Sequence, residues 1–266
     1  MDKGIEFHPP PAPPIEGGAL QRLLGLIRYN RDWPRYLYHR YTTSENKDRP
    51  LSFRLRNGQV VTLKWDARFT LNETYLDHVY NVPGVNLADC RSILDIGANV
   101  GLFALFAASV APRASVYCFE PEPNTFAMLL QNLKANQGHR IFPHQLAVSG
   151  KCGRGRMELG NTSVTHSLNT APGGLDTVEV VDMSRVFELA GVDRVDFVKM
   201  DVEGAELDIL TGTSDEQLRS MSAISMEWHY SAEELNPVAG RLRALGFEVT
   251  APFARGRPQY LKARLR

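Results

Sequence analysis

Residues 92–120 read Ser-Ile-Leu-Asp-Ile-Gly-Ala-Asn-Val-Gly-Leu-Phe-Ala-Leu-Phe-Ala-Ala-Ser-Val-Ala-Pro-Arg-Ala-Ser-Val-Tyr-Cys-Phe-Glu, and no other stretch limits the fold so much. The apolar run at 92–96 predicts a short buried strand. It stops at Gly97. A helical pattern begins near Val100, with Leu102, Phe103, Phe106 and Val110 at helical spacing, and Pro112 ends it. Residues 116–119 predict a second buried strand, with Glu120 at its end. Such a strand–turn–helix–strand unit is a parallel crossover. Ligands of parallel sheets bind where the strands end, beside the first turn and its helix N-terminus.

The turn is Asp95-Ile-Gly97-Ala98-Asn99-Val-Gly101. Gly97 permits a sharp turn, Gly101 lets the helix lie close to the sheet, and Asn99 tolerates positive φ. Glu120 can accept two hydrogen bonds from a ribose diol. These features fit an adenosine-containing cofactor. A dinucleotide site requires G-x-G-x-x-G so that the backbone admits the pyrophosphate, whereas glycines stand here only at 97 and 101. Asp95 would repel a pyrophosphate and would suit a cationic group such as the amine of S-adenosylmethionine. A turn with no ligand is the plain alternative, and Glu120 at the next strand end speaks against it.

With 266 residues, 43% of them hydrophobic, the chain can bury a substantial core. It fits one α/β domain with an extension. Thirty basic and thirty acidic residues give zero formal net charge, so the total makes no electrostatic case for nucleic acid or an anionic membrane. Cys90, Cys118 and Cys152 are too few and scattered for a disulfide framework or zinc knuckle. The N-terminus lacks a signal-peptide pattern, and the longest apolar run, 102–111, is too short to span a bilayer. A soluble, cytoplasmic protein is expected.

In chain order, residues 1–18 contain His8-Pro-Pro-Pro-Ala-Pro-Pro14 and predict a flexible, proline-rich extended tail. Residues 19–90 predict a cap: one or two helices over 19–41, a hairpin over 51–66 turning at Asn57-Gly58, and a helix over 70–80. Residues 91–266 predict the main domain. After Glu120 come a helix at 122–136, a third strand at 141–148, and strands at 154–159 and 177–182 flanking a Ser/Thr/Gly/Asn-rich loop at 161–174. That loop either covers a substrate or is plain surface. A helix at 184–190, a strand at 195–200, a helix from 205, a strand at 223–228 and a helix at 232–245 follow, then a hairpin of 247–250 with 259–263. The order predicts a doubly wound sheet whose last strand is reversed.

Phe197-Val-Lys-Met-Asp-Val-Glu-Gly-Ala-Glu206 sets Asp201, Glu203 and Glu206 at a strand end and helix start, and Glu227 and His229 mark the end of the next strand. Acids gathered there can accept hydrogen bonds, act as a general base, or ligate a divalent ion. Helix capping is the plain alternative for acids in a first turn, as good an account as function for Glu206 and a weaker one for Asp201 at the strand end.

Leu94-Asp-Ile-Gly-Ala-Asn-Val-Gly101, Phe119-Glu-Pro-Glu-Pro123, Lys199-Met-Asp-Val-Glu-Gly-Ala-Glu206 and Met226-Glu-Trp-His229 together resemble the FkbM family of S-adenosylmethionine-dependent methyltransferases over about residues 70–250. The resemblance implies a Rossmann-like, seven-stranded methyltransferase sheet with its last strand antiparallel. It implies a transferase that O-methylates a hydroxyl on a small molecule or carbohydrate. Asp95, Gly97, Ala98, Asn99 and Gly101 would hold the methionine part, Glu120 and Pro121 the ribose, and Ala147 would face the adenine, with Asp201 beside the cofactor. His229 is the natural base by its intrinsic pKa. Asp201, Glu203 and Glu227 orient it, bind the acceptor, or, with His229, hold Mg²⁺. A homo-oligomer is compatible with this reading; nucleic-acid and membrane partners are not expected. A nicotinamide-dependent oxidoreductase and a non-catalytic cofactor-binding module are the rival readings. The missing third glycine argues against the first, and the retained acids argue against the second.

Overall fold

The computed structural model describes residues 19–42, 49–159, 166–169, 177–251 and 259–266. In chain order the elements are α1 (Ala19–Tyr29), α2 (Trp33–Thr42), β1 (Pro50–Arg54), β2 (Val60–Lys64), α3 (Arg68–Tyr75), β3 (Ser92–Ile96), α4 (Leu102–Val110), β4 (Ser115–Phe119), α5 (Pro123–Ala135), β5 (Ile141–His144), β6 (Ala147–Val148), β7 (Gly153–Leu159), β8 (His166–Asn169), β9 (Thr177–Val181), α6 (Met183–Ala190), β10 (Phe197–Met200), α7 (Glu206–Gly212), α8 (Asp215–Arg219), β11 (Ala223–Trp228), α9 (Ala232–Ala244), β12 (Phe247–Thr250) and β13 (Gln259–Leu265).

Seven strands form the central sheet in the order β12-β13-β11-β10-β3-β4-β5. β3, β4, β5, β10 and β11 run parallel, and β13 runs antiparallel to both its neighbours. The expected Rossmann-like sheet with a reversed last strand is therefore present. Alternation along β3 sends Ile93 to the layer of α4 and Leu94 and Ile96 to the layer of α6 and α9. Local chemistry fixes the helix starts. Glu122 accepts from the amides of Asn124 and Thr125 ahead of Pro123, and Ser231 forms a reciprocal capping box with Glu234.

Two expectations are corrected. Residues 141–148 are not one strand. β5 closes the edge of the central sheet, where Pro143 costs no ladder bond, and β6 leaves that sheet to pair with β9. Pro143-His144-Gln145 marks the break, which a reading of 141–148 as one strand passed over. Nor is the segment 161–174 wholly loop: residues 166–169 are β8, paired antiparallel to β7 in a second sheet ordered β6-β9-β7-β8. Its remaining residues, 161–165 and 170–174, and the proline-rich tail lie outside the described residues. Among the described residues no helix is long and apolar enough to cross a membrane.

The N-terminal elements pack on α4 through a third apolar cluster built from Tyr36, Phe53, Leu63, Trp65, Leu71 and Leu105. Side-chain amides then fasten the hairpin to α5. Buried Asn132 accepts from the Thr62 amide at 2.7 Å and donates to the carbonyls of Thr62 and Val100 at 2.8 Å. One turn on, Asn136 does the same for Val60, accepting at 2.8 Å and donating at 2.7 Å. Asn132→Ala strands one buried donor and two carbonyls, so a loss of at least about 3 kcal/mol is expected in denaturant unfolding, at about 1–3 kcal/mol per unsatisfied group. A loss below that of an exposed Asn→Ala control would mean that water replaces the amide.

Candidate functional site

The turn after β3 needs three residues in the left-handed region: Gly97 at φ 74°, Asn99 at 50° and Gly101 at 82°. Gly97 is required for a reason beyond turning. A Cβ there would lie 1.7 Å from the carbonyl oxygen of Asp201, so the end of β10 passes directly against the turn. At Gly101 a Cβ would press on Leu129 of α5 at 3.3 Å. The amides of Gly97 and Ala98 both donate to the Phe119 carbonyl. Glu120 accepts from the Asn99 amide at 2.9 Å and the Glu122 amide at 3.0 Å, one oxygen each. Burial pushes its carboxyl up to about 7. Each oxygen keeps a further lone pair, which is what a diol contact needs. Pro121 follows, half-buried, while Ala147 is buried at the start of β6 in the second sheet.

Asp95 has no exposed surface and faces Lys199 across the β3–β10 pair, Oδ1 to Nζ 3.2 Å. The same ammonium donates to the Gly97 carbonyl at 2.5 Å, lies 3.9 Å from Asp201 Oδ2, and sits 5.3 Å from the centre of the Tyr80 ring. Burial alone would neutralise this lysine, but Asp95 and Asp201 outweigh it and hold its pKa above the usual value. Lys199 thus joins the turn to the strand end that carries the acids.

That strand end gathers four of the expected residues. Asp201, Glu227 and His229 each bring one polar atom within 4.8 Å of the others. His229 Nε2 lies 3.5 Å from Glu203 and 3.9 Å from Glu227. Glu203 stands at φ 51°, an unusual conformation for glutamate and of a kind concentrated at functional sites. Burial raises Glu203 to about 7, and burial with Asp201 raises Glu227 to about 8.

Glu206 accepts from the amides of Val202 and Gly204 at 3.3 Å, as a capping acid in a first turn does. It also binds His229 Nδ1 at 2.7 Å with its carboxylate fully buried. Burial by itself would depress the imidazole. The hydrogen bond and charge of Glu206, with Glu203 and Glu227 beside it, outweigh burial and push it up to about 9. The ionisation near neutrality expected from the intrinsic value therefore gives way to an alkaline one.

Three further groups come from outside the expected set. The Tyr80 hydroxyl donates to Asp201 Oδ2 at 2.9 Å. Glu73 of α3 is raised to about 7, by burial first and Asp201 second. Tyr260 of β13 packs edge-on against Tyr80 at 6.0 Å. Lys199 had a signal in the sequence, a cation inside the apolar run Phe-Val-Lys-Met, which demands a buried counter-ion. Tyr80 and Glu73 had none.

Residues 95–249 match the family model described as the methyltransferase FkbM domain. The chain is 30% identical over 236 residues to the 31-O-demethyl-FK506 methyltransferase FkbM of Streptomyces tacrolimicus, covering 75% of this chain and 90% of that protein. It is 30% identical over 187 residues to the 2-O-methyltransferase NoeI of Sinorhizobium fredii, covering 62% and 75%. It is 26% identical over 230 residues to the AMB antimetabolite synthetase AmbE of Pseudomonas aeruginosa, covering 70% of this chain but only 11% of that protein's length.

Removing one partner of the Lys199–Asp95 pair leaves a buried charge alone, so Lys199→Met should cost about 3–5 kcal/mol in denaturant unfolding, while Lys199→Met with Asp95→Leu should recover most of it. Additive losses in the double variant would show that the two groups do not depend on each other.

Proposed function

The chain belongs to the FkbM methyltransferase family and is an S-adenosylmethionine-dependent methyltransferase; from that premise we propose that it O-methylates a hydroxyl on a small molecule or sugar. The nicotinamide and non-catalytic readings fall away with the family. Oxygen as acceptor is supported by the two relatives whose names specify O-methyl transfer. The observation that carries the site assignment is Lys199, whose one ammonium touches both the Gly97 carbonyl and the side of Asp201. A cofactor on the turn and an acceptor on the acidic strand ends would then be neighbours. Cys90, Cys118 and Cys152 are all free, in keeping with a cytoplasmic setting.

In this reading Gly97, Ala98, Asn99 and Gly101 shape the seat of the methionine part, Glu120 and Pro121 receive the ribose, and Ala147 borders the adenine. Asp95 is enclosed and paired, so it supports the turn through Lys199. Bound S-adenosylmethionine supplies a methyl group already activated by its sulfonium. What remains for the chain is to align the acceptor oxygen and take its proton. Glu206 holds His229 by Nδ1, which directs Nε2 toward Glu203, Glu227 and an incoming hydroxyl. Neutral His229 takes the proton there, Asp201 and Glu227 hold the acceptor, and Tyr80 orients Asp201.

Mg²⁺ fits less well. Asp201, Glu227 and His229 are close enough to share an ion, but Mg²⁺ prefers six oxygen donors. His229 is bound at Nδ1 by Glu206, and the carboxylates around it keep a proton on the ring. Deprotonation by His229 needs no metal, and turnover is expected to survive dialysis against a chelator.

Calorimetry on Glu120→Ala tests the cofactor site. Charge-assisted hydrogen bonds of about 1.5–3 kcal/mol imply S-adenosylmethionine binding weaker by about tenfold to a hundredfold. Unchanged affinity in the folded variant would remove Glu120 from the cofactor site.

A pH–rate profile tests the base. With a pKa of about 9, His229 is unprotonated in about one molecule in a hundred at pH 7. Turnover should therefore rise with pH until about 9. Glu206→Gln removes the charge that raises the imidazole, so the rising limb should move to lower pH. His229→Ala should abolish that limb and cost about 10²–10⁴ in turnover with cofactor affinity kept. A limb that stays in place in both variants would assign the proton to another group.

A further inference from the structure

The zero net charge of the whole chain hides a segregation. Residues 19–68 carry eleven Lys and Arg against four Asp and Glu, so the remaining residues are negative by the same margin of seven. The positive part includes α1 and α2, and its outer surface is not merely charged. Leu26 of α1 and Tyr36 of α2 point into one apolar cluster with the hairpin. On the sides turned away from that cluster, Leu20 and Leu24 are 68% and 58% exposed, and Tyr38 and Tyr41 are 64% and 80% exposed. Leu20, Leu24 and Arg28 follow one another at helical spacing, as do Pro34, Tyr38 and Tyr41, and Arg28, Arg31, Arg35 and Arg40 are exposed among them.

We propose that the outer face of α1 and α2 docks on an anionic lipid bilayer surface. Each component has its place in such a contact. Leucines enter the acyl boundary, tyrosines sit at headgroup level with an apolar ring and a polar tip, and arginines meet lipid phosphates. Charge decides between occupants. A second copy docked face to face would bring the same positive surface against itself, and like charges repel. Nucleic acid would satisfy the arginines but gives two leucines aligned on one helix nothing to bury against. The face belongs to the cap and contains none of the residues placed at the cofactor turn or the acidic strand ends, so this inference does not depend on the acceptor.

Co-sedimentation of the full chain with vesicles tests it. Phosphatidylcholine vesicles containing phosphatidylserine should bind the protein, pure phosphatidylcholine vesicles should bind it at least about tenfold more weakly, and raised salt should release it. Leu20→Ser with Leu24→Ser, and separately Arg28→Glu with Arg31→Glu, should each weaken partition by at least about tenfold. Both substitute exposed side chains, and unchanged S-adenosylmethionine affinity verifies the fold. The inference is overturned by failure to bind either vesicle, by equal binding to both, by variants that bind as the wild type does, or by leucine-dependent self-association without vesicle binding.

Discussion

A lysine ammonium buried in the sheet between two carboxylates is the interaction on which the rest of the site depends. Lys199 is carried by β10, Asp95 by β3, and the two strands are neighbours in register. Neither charge is tolerable there alone, since moving an ion out of water costs more than any single contact returns. Together they fill a position that apolar side chains occupy elsewhere on that face, and the ammonium retains donors for the Gly97 carbonyl and for Asp201. The turn after β3 and the end of β10 are thereby held to each other, with Gly97 allowing their backbones to meet. Any movement of one is felt by the other.

Around this pair, charge is distributed unequally. At the turn, Glu120 has both carboxylate oxygens met by backbone amides. The strand-end side holds Glu73, Asp201, Glu203, Glu206 and Glu227, the last three around the His229 imidazole. Burial, and after it the charge of Asp201, raises Glu73 and Glu203 to about 7 and Glu227 to about 8, and Glu206, Glu203 and Glu227 stabilise the charged form of His229. A base so surrounded is strong when free of its proton and seldom free of it. That exchange of strength for availability follows from Glu206, whose carboxylate has no solvent to share its charge with.

Periodicity and punctuation sufficed for the central sheet. β3 and β11 have the bounds that apolar runs predict, and the turn at 97–101 was visible because glycine and asparagine stand where positive φ is needed. The second sheet was less visible, because β8 pairs through polar residues in a segment rich in Ser, Thr and Gly, where composition favours loop. At the site, Asp201, Glu203, Glu227 and His229 were legible as polar residues ending apolar strands. Tyr80 was not. It reaches Asp201 across 121 positions of sequence, and only the folded path of the segment before β3 brings it there. The role of Glu206 was half legible: its place in a first turn signals a cap, but its bond to an imidazole on another strand has no local signature.

The asparagine rungs between α5 and β2 carry one more consequence. A strand with a free edge is a template on which another chain can add a strand. β2 uses one edge for β1, and on the other the polar groups of Val60 and Thr62 are taken by side chains of a helix rather than by a third strand. The two-stranded hairpin is therefore closed on that side without being enlarged. The two amides that fasten the cap thus also occupy edge groups of β2 that a further strand would need.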